Sequence, residues 1–300
     1  MKFLVIGASG FIGRHTLHYI KSLGYEAVGT QTKVKHPDLV KFDLLEDRIQ
    51  WQLDTAYLET DSQVFGIIFS AITPIDRCWR ERELSYKVNV KNTCQLLDDF
   101  KNLGIKPIFI SSEAVYDGTT GYYSEKHQPN PVNEYGKQKL AVEKYIQQQR
   151  SPETLILRLS KIVGDDPKES HLFSEWYQWI ETNKPITCIA GQVFCPTFVE
   201  DIAQGILLSC KQGISGLYNM ANPVFFPREE LAKQFALALG QEAQIICKPQ
   251  EEFNFADKRN ENNYLDSTKF LKTTGMQFTS MREVFTAFTH KLNERKTLNN

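Results

Sequence analysis

An α/β fold, a doubly wound parallel sheet followed by a smaller, mostly helical C-terminal region, is what this 300-residue sequence predicts. Three observations carry that expectation. Through residues 1–163, short apolar runs alternate with helical stretches, the pattern of βαβ units. The apolar runs read as continuous rather than alternating, as strands covered on both faces do. The first run passes directly into a glycine-rich turn that opens a helix.

The expected strands are residues 2–6, 26–30, 39–42, 64–69, 106–111 and 154–160, and the clearest helices between them are 11–23, 86–103 and 134–149. Val64-Phe65-Gly66-Ile67-Ile68-Phe69 and Pro107-Ile108-Phe109-Ile110 show the buried-strand composition most plainly. After Val163 the turn cluster Gly164-Asp165-Asp166-Pro167 marks a change of pattern. Residues 164–300 then read as a smaller substrate region, with helices at 171–182, 201–210, 228–239 and 280–293 and irregular, proline-bearing chain between. Residues 216–220 read as a strand returning to the first sheet, and the polar tail from Asn293 is expected to fray.

Composition excludes several classes of function. Net charge is −1 with both signs interspersed, so no general field draws the chain to nucleic acid or to anionic membranes. The six cysteines are scattered, without a C-x-x-C pair or histidines at zinc spacing. They read as free thiols in a reducing compartment, and no metal site is expected. The apolar run at the N-terminus ends at Gly7, too short for a secretory core, and no stretch approaches the roughly 20 apolar residues of a membrane span. The cytoplasm is the expected location.

Gly7-Ala8-Ser9-Gly10-Phe11-Ile12-Gly13 sits between the first strand and the first helix. Glycines there allow a tight turn and close approach of backbone to a pyrophosphate. The helix N-terminus offers unpaired N–H groups and a positive dipole end to the same phosphates. The spacing is G-x-x-G-x-x-G rather than G-x-G-x-x-G, and by itself would suit a plain strand–helix turn. Its place after a buried-type strand makes it a dinucleotide site and residues 1–163 a Rossmann-type NAD(P)-binding domain. NAD sites commonly carry Asp or Glu near the end of the second strand. Here Thr30-Gln31-Thr32-Lys33-Val34-Lys35-His36 has no carboxylate and two lysines. NADP is therefore preferred over NAD, with Thr32 and Lys33 at the 2′-phosphate; either lysine taken singly also fits a solvated surface charge.

Y-x-x-x-K occurs twice. Tyr122/Lys126 lies in glycine- and proline-rich chain, where four-residue spacing has no geometric meaning. Tyr135/Lys139 opens an amphipathic helix, on which i and i+4 share a face. A lysine beside a phenol favours the phenolate and lowers a pKa that starts near 10, so the phenol can exchange a proton with a carbonyl or alcohol oxygen. Ser111-Ser112 ends the fifth expected strand, where open parallel sheets bind ligands. A hydroxyl there can hold the oxygen that Tyr135 protonates.

At these residues the chain resembles the extended short-chain dehydrogenase/reductase superfamily, over nearly its whole length. Residues 7–13 match the cofactor loop, Asp43-Leu44 the pair that meets the adenine, and Ser70-Ala71 a strand end that lines the cofactor. Asn89 matches a helical asparagine of the active site. In Ser111-Ser112-Glu113-Ala114-Val115-Tyr116-Asp117-Gly118, counting back from Val115 makes Ser112 the catalytic hydroxyl, and Tyr135 and Lys139 take the usual roles. Within the superfamily the chain is most similar to the dTDP-4-dehydrorhamnose reductases. Val115-Tyr116-Asp117-Gly118, the Pro196-Thr197-Phe198-Val199-Glu200-Asp201 segment and Tyr264-Leu265-Asp266-Ser267-Thr268-Lys269 carry that likeness. Ser112-Glu113-Ala114 stands where those reductases usually show Thr-Asp-Tyr, and Ala114 where dehydratases of the superfamily carry a basic glutamate.

The resemblance implies an NADPH-dependent reduction of a 4-keto group on a nucleotide-linked sugar. Ser112 would polarise the carbonyl, Tyr135 donate the proton, and Lys139 tune Tyr135 and hold the nicotinamide ribose. Glu113 would contact the sugar or stand solvated. The same residues serve an NAD-dependent epimerase equally well. A third possibility is a non-catalytic NAD(P)-binding regulatory subunit, as in methionine adenosyltransferase; a complete Ser112/Tyr135/Lys139 set counts against it. Homodimers are common in the superfamily.

Overall fold

The computed structural model of the chain describes residues 1–33, 36–49, 57, 62–149 and 153–298. Its strands are β1 (Lys2–Ile6), β2 (Glu26–Gln31), β3 (Leu39–Lys41), β4 (Val64–Ile68), β5 (Lys106–Ser112), β6 (Leu155–Leu159), β7 (Ile162–Val163), β8 (Ile186–Ile189), β9 (Val193–Phe194), β10 (Thr197–Phe198), β11 (Gly216–Met220), β12 (Phe226–Pro227) and β13 (Ile245–Lys248). Seven of them form one sheet in the order β11-β6-β5-β4-β1-β2-β3, every neighbouring pair parallel. The winding reverses between β1 and β4, so a crevice opens beyond their carboxyl ends.

The period-two pleat sorts side chains onto two apolar faces. Phe3, Val5, Ile67 and Leu157 pack on one side with Leu17 and Ile20 of helix Phe11–Ser22 and with Ile202 and Ile206 of helix Val199–Lys211. Leu4, Ile6, Ile68 and Ile156 pack on the other with Phe100 of helix Thr93–Asn102 and Val142 and Ile146 of helix Glu134–Gln148. Both faces are therefore covered, which explains the continuous apolar runs of the sequence.

The chain departs from expectation in three places. The helix expected at 86–103 is present but starts earlier and contains a π turn, running without interruption as Arg82–Tyr86, a π-helical turn Lys87–Asn92 and Thr93–Asn102, with a separate short helix Ile75–Arg80 before it. A π turn inserts an extra residue per turn, and it carries Asn89 to a buried position. Beyond β6, three two-stranded pairs, β7/β10, β8/β13 and β9/β12, accompany the expected helices, and the sequence did not show them. Strands of two to four residues are too short for their periodicity to be read. Finally, the tail does not fray at Asn293: helix Met281–Leu298 runs through it, held by Phe285, Phe288 and Leu292 in a core with Trp176 and Phe235.

All six cysteines are free thiols, four of them buried. Among the described residues no His/Cys/Asp/Glu group could hold a metal ion, and no helix is long and apolar enough to cross a membrane.

Candidate active site

Gly7 takes φ +85° at the end of β1, a left-handed conformation that suits glycine. Its N–H donates to Thr30 Oγ1 (3.0 Å) and its carbonyl accepts from Gly10 N (3.1 Å). Gly10 begins helix Phe11–Ser22 with no side chain capping it and no acidic residue in the first turn. Free N–H groups thus face the crevice, a fit for an anion.

Beside this turn lies a cavity of about 420 Å³ lined by Ser9, Thr32, Lys33, Asp43, Leu44, Ser70 and Ala71, each of them a residue the sequence singled out. Thr32 Oγ1 donates to the Phe42 carbonyl and Asp43 Oδ1 accepts from Leu45 N, so both side chains also brace the backbone. Val34 and Lys35 lie outside the described residues. Arg77 lines the same wall and carries a second positive charge there. A further cavity of about 490 Å³ is lined by Phe11, Ile12, Gly13, Ser112, Glu113, Tyr135 and Lys139. The two share Gly7, Gly10, Phe69 and Ala71 and form one trough. Uncapped N–H groups midway, a carboxylate and cations at one end and hydroxyls at the other fit an NAD(P) molecule laid along it.

At the second end, the helix Glu134–Gln148 is started by Asn133, whose side chain accepts from Gly136 N (2.9 Å), and by Asp257, which accepts from Glu134 N (2.7 Å). A Cβ on Gly136 would collide with the Ala114 carbonyl, so glycine lets this helix approach the turn after β5. Tyr135, Lys139 and Glu143 then fall on one face. Ser112 Oγ accepts from Ala114 N and donates to Glu113 Oε2, both at 3.2 Å.

Lys139 Nζ donates to the Ile110 carbonyl (2.8 Å) and lies 5.8 Å from the centre of the Tyr135 ring. Burial pulls the ammonium down to about 8, with Cys78 and Glu143 opposing. The Tyr135 phenol is pushed above its ordinary value by burial, with the Glu113 carboxylate adding to the rise and a Ser112 hydrogen bond opposing it. This corrects the expectation that Lys139 would lower it: in the protein alone, desolvation outweighs the ammonium. A phenol in this state is neutral near pH 7 and can only donate. Glu113, half-buried, is itself pushed up by burial to about 7.

A family model described as the RmlD substrate binding domain matches residues 1–294. The chain belongs to the RmlD family. It is similar to the probable low-salt glycan biosynthesis reductase Agl14 of Haloferax volcanii, 25% identical over 253 residues, 82% of this chain and 83% of that one. It is also similar to the methionine adenosyltransferase 2 subunit beta of Rattus norvegicus, 25% identical over 287 residues, 92% of this chain and 83% of that one. Among solved structures, a dTDP-4-dehydrorhamnose reductase of Bacillus anthracis in complex with NADP superposes with a TM-score of 0.82 at 23% identity, covering 96% of this chain and 98% of the other. At that identity the likeness is one of fold.

In this RmlD-family chain Asn89, which the sequence singled out, braces the site, whereas Glu143, Arg158 and Lys161 escaped the sequence. Asn89 binds both the N–H and the carbonyl of Ile72 (2.8 Å each) and Gln138 Oε1 (2.8 Å), tying the trough wall to the helix of Tyr135. Arg158, 1% exposed, pairs with Glu143, 0% exposed; Glu143 also accepts from Ser111, and Arg158 donates to the Tyr116 hydroxyl. Two signals were available: Glu143 is four residues beyond Lys139, and Arg158 interrupts the apolar run Leu155-Ile156-Leu157-Arg158-Leu159. Lys161 lines the cleft opposite Glu113. Arg228 lies close enough to push the Lys161 ammonium down further, after burial has done so. Tyr122 of the other Y-x-x-x-K match is exposed in a loop at φ +51°, away from this trough.

Proposed function

We propose that the chain is an NADPH-dependent reductase of a 4-keto group on a nucleotide-linked sugar. The observation that carries this reading is the gathering of Ser112, Tyr135 and Lys139 around the same 490 Å³ cavity as the glycine turn. Bound NADPH would supply the hydride to the carbonyl carbon. Residues 7–13 would hold its diphosphate, Asp43 and Leu44 the adenine, Thr32 and Lys33 with Arg77 the 2′-phosphate, and Ser70 and Ala71 the path between them. Ser112 grips the carbonyl oxygen. Tyr135, kept neutral by its surroundings, gives that oxygen a proton. Lys139 offers its positive charge to the phenolate left behind and reaches the nicotinamide ribose.

Residues 164–300 supply much of the substrate side. Lys161 and Arg228 carry like charges near one another, with no carboxylate in ion-pair contact with either among the described residues. The Arg228 Nε is buried without a partner. A cation lining the cleft, Lys161, with Arg228 near it, suits the diphosphate of a nucleotide sugar. Glu113 sits beside the sugar. The positive charge of Lys33 beside the trough favours NADPH, and with it a reductase over an NAD-bound epimerase. The likeness to a methionine adenosyltransferase subunit favours a non-catalytic NAD(P)-binding subunit as second reading, and the intact Ser112/Tyr135/Lys139 set speaks against it.

The test is NADPH and NADH oxidation by the purified chain against a panel of dTDP-, UDP- and GDP-4-keto sugars. Oxidation of NADPH in preference to NADH with one of them is the expected result. A co-purifying NAD with no net oxidation would turn the reading to an epimerase, and cofactor binding without any turnover to the subunit.

A further inference from the structure

We propose that His15 is a protonation-dependent clasp. As the imidazolium it fastens loop 164–171 to the helix that follows the glycine turn, and as the neutral ring it releases that loop. The consequence for function rests on the dinucleotide reading of the trough: a fastened loop holds NADPH more tightly than a released one.

His15 stands on helix Phe11–Ser22, one turn after Phe11. Its Nδ1 meets Glu200 Oε1 at 2.5 Å and its Nε2 meets Glu169 Oε2 at 2.8 Å. A neutral imidazole has one N–H and one lone pair, and the lone pair would face a carboxylate. Only the imidazolium donates from both nitrogens, so the charged ring is the form that fits. The two carboxylates come from different elements. Glu200 lies in the first turn of helix Val199–Lys211, which already packs against helix Phe11–Ser22 through Ile202 and Ile206. Glu169 belongs to loop 164–171, so this second bond is the one that ties the loop down. The loop in turn backs the trough. Phe11 lines the cavity beside Gly10 and Gly13. Its ring stacks on His171 of the loop, centroids 5.5 Å apart, and meets the His15 ring edge-on at 5.2 Å.

The charged groups around His15 come from three elements. Arg14, on its own helix, also binds Glu169 (2.6 Å), but that guanidinium is half-exposed and holds the loop less firmly. On helix Val199–Lys211, Asp201 is turned away from Glu200 to Thr279. In the loop, Asp165 is held by Lys291 (2.7 Å), and the Asp166 carbonyl accepts from His171 Nε2 (3.0 Å). Burial disfavours the charged His15 ring, yet the hydrogen bonds and charges of Glu200 and Glu169 outweigh it and raise the ring above its usual 6.5. His171 is pulled below 6.5, by burial above all, so it is neutral while His15 titrates.

Three measurements on the full chain test this, two of them without any ligand. A ring whose titration is raised by folding stabilises the native state fully below 6.5, and the gain is lost as pH rises through the folded-state titration above it. The melting temperature of the wild type should therefore exceed that of His15→Gln most at about pH 6, and the gap should close toward about pH 9. A gap that stays constant over that range overturns the proposal. By NMR, the His15 ring, assigned by its absence from His15→Gln, should titrate above 6.5 and move downward in Glu169→Gln, which keeps the shape and removes one carboxylate. A wild-type ring titrating at or below 6.5 overturns the clasp equally. In the third, NADPH is titrated by fluorescence. The wild type should bind it about fivefold tighter than His15→Gln near pH 6.5, and no tighter near pH 9. Comparing the two chains cancels Lys139, whose ammonium titrates at about 8 in both. A ratio of affinities that does not change with pH overturns the link to the cofactor. A wild type that binds neither NADPH nor NADH at any pH defeats the dinucleotide reading and that link with it, an outcome the two ligand-free measurements tell apart from failure of the clasp.

Discussion

The two sides of the cleft are built from different materials. The cofactor side is made of the ends of β1, β4 and β5, interior strands paired on both edges and covered on both faces. The substrate side hangs on ladders of two to four residues, β7/β10, β8/β13 and β9/β12, and on loops such as 249–266, which is tied to the helices and turns beside the sheet by polar contacts such as Arg259–Asp76 (2.9 Å) and Glu134 N–Asp257 (2.7 Å). Groups on the first side are held by elements whose local opening costs a large part of the global stability, whereas those on the second move with less. Chemistry should therefore reside on the rigid side and selectivity on the adaptable one. Variants on the two sides should then fail in different ways.

The largest effect belongs to the rigid side. Tyr135→Phe removes the proton donor and leaves the ring in its packing, so kcat should fall by about 10²–10⁴-fold. NADPH affinity, followed by fluorescence, should stay at the wild-type value. Normal turnover in this variant would break the comparison at once, since no other phenol stands among the residues that line that end of the trough.

Next comes the buried pair behind it. Glu143→Gln leaves Arg158 charged and unpaired in the core, at a cost of about 3–5 kcal/mol in unfolding free energy by denaturant titration. The same carboxylate holds the Lys139 ammonium up against burial. Without it Lys139 loses its proton at lower pH, and the alkaline fall in kcat, expected around 8 in wild type, should move downward. Arg158→Met combined with Glu143→Gln should recover stability, because an apolar pair can replace a buried ionic one. It should not recover the pH limb. Recovery of both would mean that Glu143 only packs.

How far the sequence reveals this division follows from physics. The order of the rigid side was readable because β1, β4, β5 and β6 are long enough for composition and punctuation to speak. The serine, tyrosine and lysine were found because a strand end and a helix turn bring fixed positions together. The helix around Asn89 was readable but its π turn was not, since π turns have no period of their own in the hydrophobic pattern. Nor were the ladders after β6, where two residues carry no alternation. Lys161 was passed over for a related reason: its neighbours in space, Glu113 and Arg228, come from segments far away in sequence, and only the fold makes it a wall of the cleft. The direction of the Tyr135 shift was likewise hidden, because a Tyr–Lys spacing reports a nearby charge and says nothing of burial.

The smallest effect expected is on the adaptable side, and it sharpens the comparison most. Lys161→Ala removes one of two mutually repelling cations, so stability should hold or rise slightly. If Lys161 grips a diphosphate, KM for the nucleotide sugar should rise about tenfold, the worth of roughly one hydrogen bond to a charged group. The KM for NADPH and the kcat at saturating sugar should remain near wild type. Added salt should weaken the wild type toward the variant, because charge attraction across an open cleft is screened. A fall in kcat instead, with KM unchanged, would place Lys161 among the groups that act on the reacting carbonyl. Since it faces Glu113 across the cleft, that result would move the boundary between the two sides from the end of β5 to the end of β6.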